Sequence, residues 1–109
     1  MALSDRERWE LLLKTSNIVG GRNRVAIISR LFFKEDVLSF NQLKKDLQVS
    51  SMSLSRDLKL LEEMNILKRN VSEGRPLKVT YVLTDEGRDL YSVFSQLEMW
   101  GQKHLINKN

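Results

Sequence analysis

A chain of 109 residues is the size of one compact domain. It has no run of 18 or more apolar residues, which excludes a membrane-spanning helix, and no cysteine, which excludes disulfides, thiol redox chemistry and cysteine zinc sites. The net charge of +4 is unevenly spread: residues 22–80 hold twelve basic and seven acidic side chains, while the two ends together are slightly acidic.

The first seven residues, Met1 to Glu7, are charged at once and lack an apolar signal-peptide core, which predicts a cytoplasmic protein. Ser4-Asp5-Arg6-Glu7 is a capping-box pattern, a Ser followed three residues later by a Glu. The helix it opens places Trp9, Leu12 and Leu13 at helical spacing and fades near Ile18, before Gly20-Gly21. A second helix over 22–34 is apolar around most of its circumference, from Val25 to Phe33, as a central buried helix is. Lys34-Glu35-Asp36 reads as a polar turn.

Leu38-Ser39-Phe40 is short enough for an edge strand, and Ser39 with Gln42 forms a second capping box. The third helix runs to Leu47 with Phe40, Leu43 and Leu47 on one face and Asn41, Lys44 and Lys45 elsewhere. After the tight connection Gln48-Val49-Ser50, a fourth helix extends from Ser51 to Met64, capped by Ser50 or Ser51. Leu54, Leu58 and Leu61 make its buried stripe. Ile66–Val71 and Lys78–Leu83 read as two strands joined by the turn Ser72-Glu73-Gly74-Arg75-Pro76. Thr84 caps a last helix of about 20 residues, with Leu90, Val93, Phe94, Leu97 and Trp100 as its stripe. A helix that long is hard to cover with the rest of so small a domain. It predicts dimerisation through Trp9, Leu12, Leu13, Leu90, Val93, Phe94, Leu97 and Trp100 of the first and last helices.

Two short helices joined by a tight turn and followed by a β-hairpin describe a winged helix-turn-helix, mainly α with a small hairpin. The fourth helix is slim enough for a major groove about 12 Å wide. Its face opposite the leucine stripe is Met52, Arg56, Lys59 and Glu63, flanked by Ser53 and Ser55. Arg56 suits a guanine edge, and Lys59 a phosphate or a guanine. Ser50, Ser51 and Ser53 suit phosphates near the helix N-terminus. Lys44 on the third helix, and Arg75 and Lys78 on the hairpin, extend the set of DNA-binding candidates; an Arg at the hairpin tip suits a narrow minor groove.

Several stretches resemble the HxlR-type winged-helix regulators. They are Gly20-Gly21-Arg22 before an aliphatic helix, Ser39-Phe40-Asn41-Gln42-Leu43, Val49-Ser50, and Leu54-Ser55-Arg56-Asp57-Leu58-Lys59 with Leu61-Glu62-Glu63. Pro76-Leu77-Lys78-Val79-Thr80-Tyr81-Val82-Leu83-Thr84-Asp85-Glu86-Gly87 and Trp100-Gly101 are similar too, so the resemblance covers residues 18–102. It implies a dimeric DNA-binding transcription factor within the broader MarR-like group, with Ser50–Lys59 on the recognition helix and Arg75 on the wing. The chain departs from the family pattern in having no cysteine and in having Asn23 where a Trp is common, so thiol-based sensing does not carry over.

The resulting expectation is one domain over 1–109, with 22–83 as the DNA-binding body and 1–19 and 84–107 as dimerisation helices. The partners are double-stranded DNA and a second copy of the chain, with no membrane, no metal and no cofactor. Two other classes fit the same layout. A protein–protein interaction module would dispense with groove-facing cations such as Arg56, Lys59 and Arg75; a sequence-independent architectural protein would carry a broader positive surface. Enzyme chemistry has no support, since no P-loop, metal-ligand spacing or nucleophile elbow is present. The lone His104 reads as an exposed or interface residue rather than a base. Trp9, Phe32, Phe33, Phe94 and Trp100 read as core packing ahead of an effector pocket, so a small-molecule effector is not indicated.

Overall fold

The computed structural model describes residues 2–33 and 37–106. The predicted turn at Lys34-Glu35-Asp36 and the end of the last helix beyond 106 lie outside the described residues. Helix α1 (Asp5–Val19) begins at a reciprocal cap: Ser4 Oγ accepts the Glu7 N–H at 3.1 Å, and the Glu7 carboxylate accepts the Ser4 N–H at 3.0 Å. Donation by the Ser4 backbone N–H, helped by the Ser4 hydroxyl, holds the Glu7 carboxyl below its usual range. Over its 15 residues α1 buries Ile18 alone.

Helix α2 (Arg22–Phe33) is the central element, with Ile27, Ile28 and Leu31 buried. Strand β1 (Leu38–Ser39) leads directly into α3 (Phe40–Leu47), which starts with the second reciprocal cap, between Ser39 and Gln42. Gln48, in the left-handed region at φ 53°, ends α3 and turns the chain towards α4 (Ser51–Glu63). Ser50 Oγ accepts the Ser53 N–H at 3.1 Å to cap α4. The stripe Leu54, Leu58 and Leu61 is fully buried.

Strands β2 (Leu67–Val71) and β3 (Val79–Leu83) form the antiparallel wing, and β1 joins the other edge of β3, giving the order β1-β3-β2. Leu67 pairs with Leu83, Arg69 with Tyr81 and Val71 with Val79, while Leu38 pairs with Tyr81 from the opposite side. The core is the layer where α2, α3 and α4 meet the inner face of this sheet, closed by Phe94.

The last helix differs from expectation. It is not one helix of about 20 residues but α5 (Asp85–Arg88), a turn at Asp89–Leu90, α6 (Tyr91–Gly101) and a π-helical turn over Gln102–Ile106. The chain is pinned on both sides of that break. On one side Gly87 lies against the Ile66 carbonyl, so close that a Cβ there would stand 2.3 Å from the oxygen. On the other, Phe94 packs edge-on against Phe32 with ring centroids 5.9 Å apart. The Leu90 N–H bonds the Gly87 carbonyl at 3.1 Å, a tighter turn than an α-helix makes.

Phe94 is therefore a core residue, only 6% exposed, and has almost no surface to offer a partner, contrary to its expected place on a dimer face. Leu90 is likewise packed against the core and half-buried. The other members of that expected face, Trp9, Leu12, Leu13, Val93, Leu97 and Trp100, are exposed.

Candidate nucleic-acid interface

Burying Leu54, Leu58 and Leu61 turns the other side of α4 outward, and Ser51, Met52, Ser55, Arg56, Lys59 and Glu63 are exposed along it. Met52 is 74% exposed, although a Met finds ready space in a core, so its position is set by the register of the leucine stripe. Lys44 is exposed on α3, and Arg75 and Lys78 on the wing. The wing is closed at its base by two contacts between Ser72 and Lys78: Ser72 N–H to the Lys78 carbonyl and Lys78 N–H to Ser72 Oγ, both 2.9 Å. Beyond that closure Glu73, Gly74 and Arg75 form an exposed tip.

Ser53 differs from its neighbours. It is half-buried and accepts a bond from the Asn23 amide on α2 at 3.4 Å. Ser50 is exposed, but its oxygen is engaged by the Ser53 N–H, leaving its hydroxyl proton to offer.

The basic surface is narrower than the sequence total suggests. Arg24 on α2 reaches Asp57 on α4 at 3.2 Å, and Arg30 reaches Asp46 on α3 at 2.6 Å. Both pairs are largely sheltered, and both hold the helix-turn-helix onto α2 rather than facing outward. Arg24 also bonds the Asn17 carbonyl at the end of α1. These links join residues 33 and 16 positions apart in sequence, and no local pattern announces them.

One cationic side chain of the wing went unmarked by sequence reasoning. Arg69 lies two residues after the buried Leu67, on the same face of β2. That face points to the core at Leu67, but at Arg69 it looks into an open groove between the wing and α4, lined by Lys59, Lys78, Asn41 and Ser55 as well. Strand alternation from Leu67 was the signal that would have found it.

With this geometry in hand, the family model described as HxlR-like helix-turn-helix matches residues 18–109. The chain belongs to the HxlR-like helix-turn-helix family. An uncharacterized HTH-type transcriptional regulator of Mycobacterium tuberculosis is 32% identical over 103 residues, 94% of this chain and 64% of its own length. The chain thus spans just under two thirds of that relative. YdzF, an uncharacterized HTH-type transcriptional regulator of Bacillus subtilis, is 31% identical over 80% of each chain. The reduced form of the regulator YodB from B. subtilis superposes with a TM-score of 0.77 over 99% of this chain and 100% of its own, at 24% identity, which speaks for the winged-helix fold. The family match begins at Ile18, so most of α1 lies ahead of it. At Asn23, where the family pattern commonly has Trp, this chain has the amide that meets Ser53.

Proposed function

We propose that the chain is a sequence-specific, double-stranded-DNA-binding transcriptional regulator that acts as a homodimer. The observation that carries the DNA reading is the α4 face: four exposed polar or cationic side chains, Ser51, Ser55, Arg56 and Lys59, stand opposite a fully buried leucine stripe, beside a wing whose tip exposes Arg75. Membership of a helix-turn-helix family whose relatives are named transcriptional regulators supports it. Arg56 reads a base edge, Ser50, Ser51 and Ser55 steady the backbone, Lys44 flanks it, and Arg75 enters the minor groove. Ser53, held by Asn23, positions α4 instead of contacting DNA.

The dimer rests on α1. An isolated helix of 15 residues is marginal in water, and this one buries a single side chain while exposing Trp9, Leu11, Leu12 and Leu13. Val93, Leu97, Trp100, Leu105 and Ile106 on the α6 segment are exposed as well. Apolar faces this extensive mark an interface, and residues 1–19 with the segment after 90 supply it, while 22–83 form the DNA-binding body. Two recognition helices then stand roughly 34 Å apart, one turn of a pseudo-palindromic site.

The test is fluorescence anisotropy on a random-sequence duplex pool over a salt series, with wild type and the Arg56→Ala, Arg75→Ala double variant. We expect steeply salt-dependent binding and a loss of about 2–5 kcal/mol in the variant. Binding that ignores both substitutions would refute the assignment of the recognition surface, and absence of binding at low salt would refute the DNA reading.

A further inference from the structure

The groove between α4 and the wing has a composition that the fold does not need. Three cations line it, Lys59 from α4, Arg69 from β2 and Lys78 just before β3, with Ser55 and Asn41 beside them. One carboxylate, Glu62, shares the groove. Among the described residues the ion pairs are Arg6–Glu10, Arg8–Asp5, Arg24–Asp57 and Arg30–Asp46, so none of the three groove cations is paired, not even with Glu62. Three like charges brought together by separate elements repel one another, and an anion between them removes that cost.

Arg69 is the informative member. The alternation of β2 puts it on the inner face with Leu67, opposite the buried Tyr81, where an apolar side chain would extend the core. An arginine there carries its guanidinium past the edge of the core and into the groove. The groove is partly open to solvent and is lined from both α4 and the wing. A polymer with regularly spaced anions fits that shape better than a small enclosed ligand does.

We infer that this groove is a phosphate clamp. It seats the DNA backbone that separates the major groove, entered by α4, from the minor groove, entered by the wing tip. Arg69 grips one phosphate with its fork of donors, and Lys59 and Lys78 neutralise it from either side. Lys59 is thereby a backbone contact and not a base reader, which divides α4 into an N-terminal part that reads sequence through Arg56 and a later part that holds the strand. This inference rests on the DNA-binding reading and adds to it a site that is blind to sequence.

The experiment measures anisotropy for two duplexes of equal length, one recovered by selection from the random pool and one unrelated. Wild type, Arg69→Gln, Lys59→Gln, Glu62→Gln and Arg56→Gln are compared over a salt series. Loss of one phosphate contact lowers the slope of log affinity against log salt by about 0.9 per protomer. Arg69→Gln is expected to weaken both duplexes by the same factor, about tenfold, with that drop in slope and an unchanged ratio of the two affinities. Lys59→Gln behaves likewise. Arg56→Gln instead lowers the ratio. Glu62→Gln, which removes the groove's one carboxylate, tightens both duplexes. An Arg69→Gln protein with wild-type slope and affinity overturns the clamp while leaving the DNA reading intact, and so does a Glu62→Gln protein that binds as wild type. A lowered ratio for Lys59→Gln returns Lys59 to base reading and overturns the division of α4. A wild type that binds neither duplex at low salt overturns the DNA reading itself, and the clamp with it.

Discussion

Gly87→Ala is expected to destabilise the fold through one contact. A Cβ at position 87 would lie 2.3 Å from the Ile66 carbonyl oxygen and 3.2 Å from its carbon, whereas ordinary contact begins near 3.4 Å, so the two backbones must part by about 1 Å. Backbone on both sides makes that separation expensive. The same Ile66 carbonyl accepts the Thr84 N–H at 3.0 Å, and Thr84 Oγ1 bonds the Asn65 carbonyl at 2.6 Å while accepting the Gly87 N–H. Moving α5 outward loosens this corner and the Thr84 cap together. Overpacking of this kind costs about 1–3 kcal/mol, and a weakened cap about 1 more. The sum, about 2–4 kcal/mol, offsets the better helix propensity of Ala, which returns less than about 1 kcal/mol. The net loss is then about 1–3 kcal/mol, and at about 4 °C per kcal/mol for a domain of this size the melting temperature falls by roughly 4–12 °C. The assay is thermal unfolding by circular dichroism at one fixed protomer concentration, because the proposed assembly would make the midpoint concentration-dependent. A variant that melts within a degree or two of wild type refutes the claim that this approach is closed to a side chain.

Two further outcomes follow from other contacts. Arg24 and Asp57 form a sheltered pair between α2 and α4, with side chains 25% and 15% exposed; a double-mutant cycle to Ala on unfolding free energy should give a coupling of about 1–2 kcal/mol, between exposed and fully buried pairs, and a coupling near zero would make the pair incidental. Leu97→Glu places a charge on the apolar face of α6 and should weaken the proposed dimer by more than about 3 kcal/mol; sedimentation at micromolar concentration should then show a monomer, and circular dichroism a reduced helical signal as α1 would lose its proposed cover, whereas an unchanged dimer would place the interface elsewhere.

The parts of the fold written in short-range code were legible. Ser4 with Glu7, Ser39 with Gln42, Ser50 and Thr84 all cap the helices their spacing marks, because a cap is decided within four residues. The leucine stripe of α4 was legible for a similar reason: helical periodicity fixes which side is buried. The break after Gly87 was not, since the pattern from Leu90 to Trp100 is continuous and the close contact beside the break is with a carbonyl 21 residues away in the chain. Phe94 was misplaced on the same ground, because a stripe reports an apolar face without saying whether the cover comes from Phe32 of the same chain or from a partner. Arg24 and Arg30 add to the positive count of residues 22–80, yet their charges are spent on Asp57 and Asp46, which are brought close only by the tertiary fold.

Those spent charges bear on how the molecule would work as a dimer. Reading two half-sites requires a fixed distance between recognition helices, so the tie between each α4 and the dimer face must be stiff. The close-packed leucine stripe fixes α4 against the core. The polar links add directional contacts to it. Arg24 holds the Asn17 carbonyl at the end of α1 and Asp57 in the middle of α4, and Asn23 beside it holds Ser53 one turn earlier. Two adjacent residues at the start of α2 thus register the recognition helix against the helix proposed to dimerise. Were α1 to pack against a second copy, Arg24 is a side chain that touches both α1 and α4. On this reading Arg24→Ala leaves every DNA-facing side chain in place and still lowers affinity for a two-half-site duplex more than for a single half-site, whereas a loss equal on both duplexes would assign Arg24 to stability alone.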